Sequence, residues 1–141
     1  MSVESQAQEI RDEFDFLDDW ETRYAHIIDL GKANPPLEPH ERTEQTRVRG
    51  CASQVWMVLS EDDAGHILIR AESDAMIVSG LIAILIRLFS GASHEDILAF
   101  DAPAFLEEIG VTGALSAQRS NGLASMLERI RTVASAEATD R

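Results

Sequence analysis

The spacing of apolar residues near the start of the chain is typical of helices. Within residues 5–17, apolar side chains recur at intervals of four and three, which places them on one helical face. A second helix is predicted to begin after Asp18, whose side chain is suited to N-capping, with Glu21 three residues later. Gly31 is predicted to end it. The chain is therefore expected to open with a pair of amphipathic helices.

The apolar pattern then changes to the alternation that is typical of β-strands. A polar stretch with three prolines, residues 32–45, is predicted to be a loop. Alternating segments follow at residues 46–49, 53–60 and 66–71. Because the connections between them are too short for crossovers, the pattern predicts three antiparallel strands in sequence order.

The longest apolar segment follows the third predicted strand. Residues 75–89 are predicted to form a helix with Asp74 as its N-cap. Apolar side chains cover nearly all of its circumference, so it should be the most buried element. The remaining predicted elements are short helices that begin near Ser93 and Pro103, a linker at residues 115–120 and a last helix at residues 121–133.

Length and composition are those of one globular α+β domain. The 141 residues are 45% hydrophobic and 26% charged, which is ordinary for a domain that buries its own core. Residues 1–141 are therefore predicted to be a single domain. Residues 1–5 and 135–141 are expected to fray at its ends.

The charge and the apolar segments limit the classes of partner. A formal net charge of -13 argues against nucleic acid and against an anionic membrane surface, because both attract clustered Lys and Arg. A basic protein surface is the more natural complement. There is no recognisable secretory leader, and the apolar run at residues 75–86 is too short to span a bilayer. With a lone cysteine, which forms no internal disulfide, the sequence predicts a cytoplasmic protein.

The only cysteine of the chain, Cys51, lies between two predicted strands. We call residues 50–53 the cysteine turn, because Gly50 and the small residues after the thiol allow a sharp bend. Arg47 and Arg49 would favour the thiolate, which is the nucleophilic form. The alternative is that Cys51 is a small buried hydrophobic residue, as many solitary cysteines are.

Other chemistries have less support in the residue pattern. Zinc and iron–sulfur sites draw on several Cys or His residues at close spacing, whereas the four histidines are scattered. A cysteine hydrolase needs a histidine beside the thiol, and His40 and His66 are the candidates, without a local signature around either. The single lysine, Lys32, lies in a polar loop and lacks the surroundings of a Schiff-base site.

Two further polar residues have simple structural interpretations. Asp74 occupies the position of a helix N-cap. Arg119 precedes the last predicted helix, where a surface position or an ion pair explains it. Spacing alone assigns no chemistry to either residue.

Four segments, spread between Phe14 and Arg131, match one family pattern in order. They are Trp20-Glu21-x-x-Tyr24-x-x-Ile27-Ile28-x-Leu30-Gly31, Val48-x-Gly50-Cys51-x-Ser53-x-Val55-Trp56, Ser73-Asp74-Ala75-x-Ile77-Val78-x-Gly80-Leu81-Ile82-Ala83 and Leu115-x-x-x-Arg119-Ser120-x-Gly122-Leu123-x-x-Met126. Together they resemble the SufE family, the sulfur-acceptor proteins of iron–sulfur cluster assembly. The chain departs from the pattern at Ala52, where family members often carry a polar residue.

The resemblance implies both a fold and an activity. The fold is α+β and NifU-like, with a three-stranded antiparallel sheet packed with helices, an N-terminal helix pair and C-terminal helices. The activity is the transfer of sulfane sulfur from a cysteine desulfurase to Cys51 and onward to a cluster scaffold. The residues that the resemblance implies in shaping the turn or the docking surface are Gly50, Ser53, Gln54, Asp74 and Arg119.

The same resemblance implies partners and no cofactor or metal for the chain itself. The desulfurase, SufS-like or CsdA-like, carries pyridoxal phosphate, and an iron–sulfur scaffold complex receives the sulfur. The chain is expected to be a monomer or a weak homodimer, with a cysteine turn that alternates between an inward and an outward state. An alternative stays open, in which docking stimulates the desulfurase and Cys51 is only structural.

Overall fold

The fold is described from a computed structural model that covers residues 2–50, 53–111 and 117–139. These residues form six α-helices and a two-stranded antiparallel sheet, which confirms the α+β class. The predicted third strand is not confirmed in this part of the chain. None of the helices within these ranges is long and apolar enough to cross a bilayer.

The chain begins with helix α1 (Val3–Asp15) and helix α2 (Trp20–Ala33). Asp19 caps α2, since its carboxylate accepts a hydrogen bond of 2.8 Å from the backbone N–H of Thr22. This hydrogen bond lowers the pKa of Asp19. The prediction of Asp18 as the cap was wrong by one residue, because two adjacent aspartates are equally suited to capping.

Helix α2 crosses helix α3 (Met76–Phe89) at two glycines. A Cβ atom on Gly31 would lie 2.6 Å from the backbone nitrogen of Gly80, and one on Gly80 would collide with the backbone of Ile27. Gly31 therefore does not end α2 as predicted, and it instead allows two helix backbones to approach closely. Helix α3 is the buried centre of the fold, as expected, with nine of its 14 residues buried.

Strands β1 (Val55–Glu61) and β2 (Ile67–Ser73) form an antiparallel hairpin. Val55 pairs with Ser73 at one end, and Glu61 pairs with Ile67 at the other. Alternate residues face helix α3 and the core, which gives β2 its regular pattern of buried and exposed positions. The end at Val55 adjoins the cysteine turn, so the register fixes which residues of β2 lie beside it.

The predicted first strand, residues 46–49, forms an isolated bridge to β1. Its two backbone hydrogen bonds run from Val48 N to Val55 O and from Met57 N to Thr46 O, each 2.8 Å long. The bridge extends no further because Gly50 bends the chain on one side, with φ at +90°, and a hydrogen-bonded turn precedes it on the other. The alternation of apolar and polar residues in the sequence gives no sign of these two bends.

The loop between α2 and the hairpin folds back on the outer side of β2. The carboxylate of Glu72 accepts hydrogen bonds from the backbone of Leu37 (2.7 Å) and from Arg42 (3.1 Å). Glu41, at the end of a short 3₁₀ turn (Pro39–Glu41), pairs with Arg70 of β2. This side-chain hydrogen bond with Arg70 lowers the pKa of Glu41 to about 2. These contacts therefore anchor the loop to β2 before the chain continues to the cysteine turn.

Three helices complete the fold: α4 (His94–Ala99), α5 (Ala102–Glu108) and α6 (Ala117–Thr139). Ser93 caps α4 and Pro103 lies in the first turn of α5, as predicted. Helix α6 is longer than predicted at both ends and includes residues 117–120, which the sequence pattern assigns to a linker. The prediction follows apolar spacing, and that spacing begins only at Leu123.

His94 joins helix α6 to the far end of the hairpin. Its Nδ1 lies 2.9 Å from the carbonyl oxygen of Ala134 in α6. Its Nε2 lies 3.2 Å from a carboxylate oxygen of Glu61, the last residue of β1. The imidazole is buried, so helix α6 and strand β1 are connected where β1 ends.

Candidate functional site

The cysteine turn lies at the end of the hairpin where β1 begins. Cys51 and Ala52 fall outside the described residues, so the site is built from the residues on either side of them. We call residues 45–49 the N-terminal flank and residues 53–56 the C-terminal flank. Gly50 and Ser53, two of the predicted site residues, mark the points where the described chain reaches the turn.

Gly50 is required by both its conformation and its surroundings. Its φ of +90° lies in the region that residues with a Cβ atom rarely adopt. A Cβ atom at this position would also lie 2.6 Å from the Oγ of Ser125 in helix α6. The residue bonded to Cys51 is therefore seated directly against α6.

The N-terminal flank is held by the guanidinium group of Arg129. Its Nη2 donates a hydrogen bond of 2.7 Å to the carbonyl oxygen of Arg47, and its Nη1 donates one of 3.3 Å to that of Gln45. Arg129 lies one helical turn after Ser125, so both residues approach the flank from one face of α6. Neither residue was identified from the sequence, because a polar pair four residues apart in a helix is common on exposed faces.

The C-terminal flank is held by Asp74, at the junction of β2 and α3. The Oδ1 of Asp74 accepts a hydrogen bond of 3.0 Å from the backbone nitrogen of Gln54, and the backbone nitrogen of Asp74 donates to the carbonyl oxygen of Gln54 at 3.3 Å. The prediction that Asp74 caps α3 was wrong. Ala75 occupies the N-cap position without a side-chain hydrogen bond, and the carboxylate faces the flank because the hairpin register brings it there.

The charge of Arg49 is paired within the N-terminal flank. Its Nη2 lies 3.0 Å from a carboxylate oxygen of Glu44, and both side chains are largely exposed. Such a pair contributes little to stability, but it places a negative charge beside the cation that was expected to favour the thiolate. The influence of Arg49 on Cys51 therefore stays a prediction.

Arg119 belongs to helix α6, where its backbone is helical. It lies six residues before Ser125, so the helix that contacts Gly50 also carries this predicted site residue. The side chain of Arg119 lies outside the described part of the structure. Its role at the turn or in docking stays a prediction.

Of the two histidines considered for hydrolase chemistry, His66 lies at the end of the hairpin away from the cysteine turn. His66 pairs with Asp62 in the turn after β1, with 3.4 Å between Nδ1 and Oδ2. Strand β1 separates this turn from the cysteine turn by about 20 Å, at roughly 3.3 Å per residue. His66 therefore does not reach a thiol at residue 51. His40 lies exposed in the 3₁₀ turn of the preceding loop.

The described residues contain no group of three or more His, Cys, Asp or Glu side chains that could hold a metal ion. Two of the histidines whose contacts are resolved are engaged with carboxylates near the core instead, His26 with Glu13 and His94 with Glu61. Around the cysteine turn, the described flanks provide hydrogen bonds that hold the backbone in place.

A family model matches most of the chain. The Fe-S metabolism associated domain of the SufE family matches residues 8–134. The chain belongs to the SufE family. This confirms the resemblance in the four sequence segments, and it associates the chain with iron–sulfur metabolism.

Two relatives from rhizobia align with the SufE chain over nearly its full length. One, from Rhizobium etli, is 48% identical over 133 residues, which are 92% of this chain and 90% of that protein. The other, from Rhizobium meliloti, is 46% identical over 129 residues, 89% of this chain and 92% of that protein. Both are named uncharacterized SufE-like proteins.

A solved structure supports the fold. The solution structure of a hypothetical protein from Thermus thermophilus superimposes with a TM-score of 0.76, over 95% of this chain and 96% of that one. The two sequences are 20% identical. The comparison therefore bears on the arrangement of helices and strands in the SufE chain and not on its chemistry.

Proposed function

We propose that this chain is a sulfur acceptor in iron–sulfur cluster assembly, in which Cys51 receives sulfur from a cysteine desulfurase. The observation that supports the proposal most directly is the separate anchoring of Gly50 and Gln54 on either side of the thiol. Anchored ends allow a short segment to present one side chain to another protein at low entropic cost. Membership of the SufE family supports the same reaction class.

The chemistry is the transfer of one sulfur atom between two cysteine sulfurs. The thiolate of Cys51 attacks the terminal sulfur of a persulfide on the desulfurase. A new S–S bond forms on Cys51, the S–S bond of the desulfurase breaks, and its cysteine leaves as a thiolate with the electron pair. No external oxidant or reductant is consumed, as in thiol–disulfide exchange. A second exchange of the same kind passes the sulfur to a scaffold protein.

Docking would use the surface around the cysteine turn. Gln54 and Asp74 are exposed at its C-terminal flank, and Met76, the first residue of α3, exposes about half of its surface. In this proposal Asp74 and Gln54 shape the turn, while Arg119 contributes to the turn or to docking. The net charge of -13 favours a partner with a basic face.

The proposal extends to the setting in which the chain works. Residues 1–141 act as one domain in the cytoplasm, where a reducing environment keeps a lone thiol free. The chain needs no cofactor of its own, because the desulfurase carries the pyridoxal phosphate that releases sulfur from cysteine. The partner is a SufS-like or CsdA-like desulfurase, and an iron–sulfur scaffold receives the product.

Intact-protein mass spectrometry tests the proposal. After incubation with a cysteine desulfurase and cysteine, the wild-type chain should gain the mass of one sulfur atom, and a thiol reductant should remove it. The Cys51→Ser variant should gain nothing, and because the chain has one cysteine it is a complete control.

The same incubation separates carrier from activator. If Cys51→Ser stimulates desulfurase turnover as strongly as the wild type does, the chain is a docking activator and the carrier proposal fails. A carrier instead loses stimulation together with the sulfur adduct.

A further inference from the structure

The backbone of the N-terminal flank presents two edges with different partners. Thr46 O and Val48 N bond to β1. In an extended segment the neighbouring residues direct their polar groups to the opposite side. The carbonyl group of Arg47 accordingly lies on the edge away from β1, where Arg129 binds it together with the carbonyl group of Gln45 in the preceding turn.

Arg129 thus binds the carbonyl group of Arg47 that β1 leaves without a partner. A guanidinium group is planar and offers several N–H donors in a fixed fork, so one side chain can satisfy two carbonyl groups of alternate residues. Hydrogen bonds from a charged donor are stronger than those between neutral groups. The flank, which has only an isolated bridge to β1, gains its second partner from helix α6.

A groove of about 280 Å³ runs beside the contact between Arg129 and the flank, bordered by Val48, Arg49 and Thr132. The hydrogen bonds from Arg129 lie at this groove, and one turn earlier Ser125 lies against Gly50. The side chain of Val48 is buried in the core.

We propose that Arg129 is a positioning residue for sulfur transfer, which fixes the N-terminal flank and hence the placement of Gly50 and of the cysteine bonded to it. The proposal rests on the sulfur-acceptor function proposed above. The described contacts of Arg129 at the flank are to backbone carbonyl groups. It acts by limiting the conformations from which Cys51 is offered to a partner or to a reagent.

Alkylation kinetics of the free protein test the positioning role without any partner. We expect iodoacetamide to modify Cys51 about fivefold faster in Arg129→Ala than in the wild type, which is the change that the loss of about one net hydrogen bond produces. Arg129→Lys keeps the charge and loses the fork, so its rate should lie between the two. Hydrogen exchange at the amides of residues 45–49 should accelerate in the same order.

Arg131→Ala is the matched control. Arg131 lies on the same helix and donates to one carbonyl group, that of Leu98, at 3.3 Å, on the side of α4. Its removal changes the net charge equally and should leave the alkylation rate within about twofold of the wild type, since the contact is far from the flank. If Arg129→Ala shows the same rate as Arg131→Ala and the wild type, the positioning role is refuted. If Arg129→Ala does not fold, Arg129→Lys decides by the same criterion.

Transfer from a desulfurase supplies the second measurement. With a loosened flank the partner must order it on docking, so KM for the carrier should rise about fivefold while kcat stays unchanged. A fall in kcat without a change in KM would contradict the proposal. If alkylation responds to Arg129 while no variant, wild type included, ever carries sulfur on Cys51, the positioning role stands and the sulfur-acceptor function fails.

Discussion

The two flanks of the cysteine turn are held by different kinds of contact. The C-terminal flank continues into β1, whose seven residues all pair with β2. The side chain of Asp74 also accepts a hydrogen bond from the backbone nitrogen of Gln54. The N-terminal flank has two backbone bonds to β1, bonds from Thr46 and Arg47 to the preceding turn, and the hydrogen bonds that Arg129 donates from helix α6. A strand ladder distributes its stability over many bonds, whereas both hydrogen bonds from helix α6 to the N-terminal flank come from one guanidinium group. The N-terminal side is therefore the side at which single substitutions should alter the turn most.

The largest loss of stability is expected from substitution of Gly50, because its positive φ and its closeness to Ser125 both disfavour a Cβ atom. Gly50→Ala should lower the free energy of unfolding by about 2–3 kcal/mol, of which about 1–2 comes from the positive φ and about 1 from the collision with Ser125. Gly91→Ala is the matched control, because Gly91 has a nearly equal φ of +88° and no atoms within 4 Å of the added Cβ. Urea denaturation measures both.

A second substitution isolates the crowding at Gly50. In a Ser125→Ala background, which removes the Oγ atom, Gly50→Ala should cost no more than Gly91→Ala. Equal costs of the two glycine substitutions in the native background would show that α6 does not constrain the turn, and the contrast between the flanks would lose its basis.

A smaller effect is expected at the C-terminal flank. Asp74→Ala removes one hydrogen bond to Gln54 and should lower the free energy of unfolding by about 1 kcal/mol. Asp101→Ala removes a comparable bond to the backbone of Ala104 far from the turn and should cost about the same. Only Asp74→Ala should accelerate hydrogen exchange at the amide of Gln54, and Asp74→Asn, which retains an oxygen acceptor, should preserve protection. Unchanged exchange in Asp74→Ala would contradict the anchoring of this flank.

The smallest effect is expected from the ion pair that anchors the loop ahead of the N-terminal flank. The hydrogen bond with Arg70 holds the pKa of Glu41 at about 2, below its ordinary 4.5. A depressed carboxyl pKa stabilises the fold above pH 4.5, and this contribution is lost as the pH falls through about 2. Because Arg70 is largely exposed, solvent weakens the pair.

Comparison of Glu41→Gln with the wild type measures this contribution. The wild type should be the more stable at about pH 6, and the difference should shrink as the pH falls from about 4.5 to about 2. In an Arg70→Gln background the substitution should have little effect at either pH. A difference that does not change with pH would contradict the assignment.

The sequence predicted the elements whose signals are local. Apolar spacing located helix α3 and the two strands of the hairpin, and local residue preferences located the cap at Ser93 and Pro103 in the first turn of α5. It failed where a residue serves a distant contact. Gly31 has the appearance of a helix end, but it is needed where α2 crosses Gly80, and Asp74 has the appearance of a cap, but the hairpin register turns it towards Gln54.

The candidate site divides in the same way. The family pattern predicted Cys51 and Gly50 as part of a turn, and the register of β1 and β2 accounts for the position of Asp74 beside it. Arg129 gave no signal in the sequence, since it reaches residues 82 and 84 positions away through its side chain. Contacts of this kind follow from the packing of α6 and not from any local preference.

Helix α6 meets the hairpin near both ends of β1, through Ser125 at Gly50 and through the carbonyl group of Ala134 at His94 and Glu61. A helix that slid along its own axis would break one of these contacts while straining the other. The two contacts therefore act as stops, and they set the helix in a single longitudinal position relative to the strand. A truncation that removed Ala134 would delete the stop at His94 and leave the contacts nearer Gly50 to resist sliding.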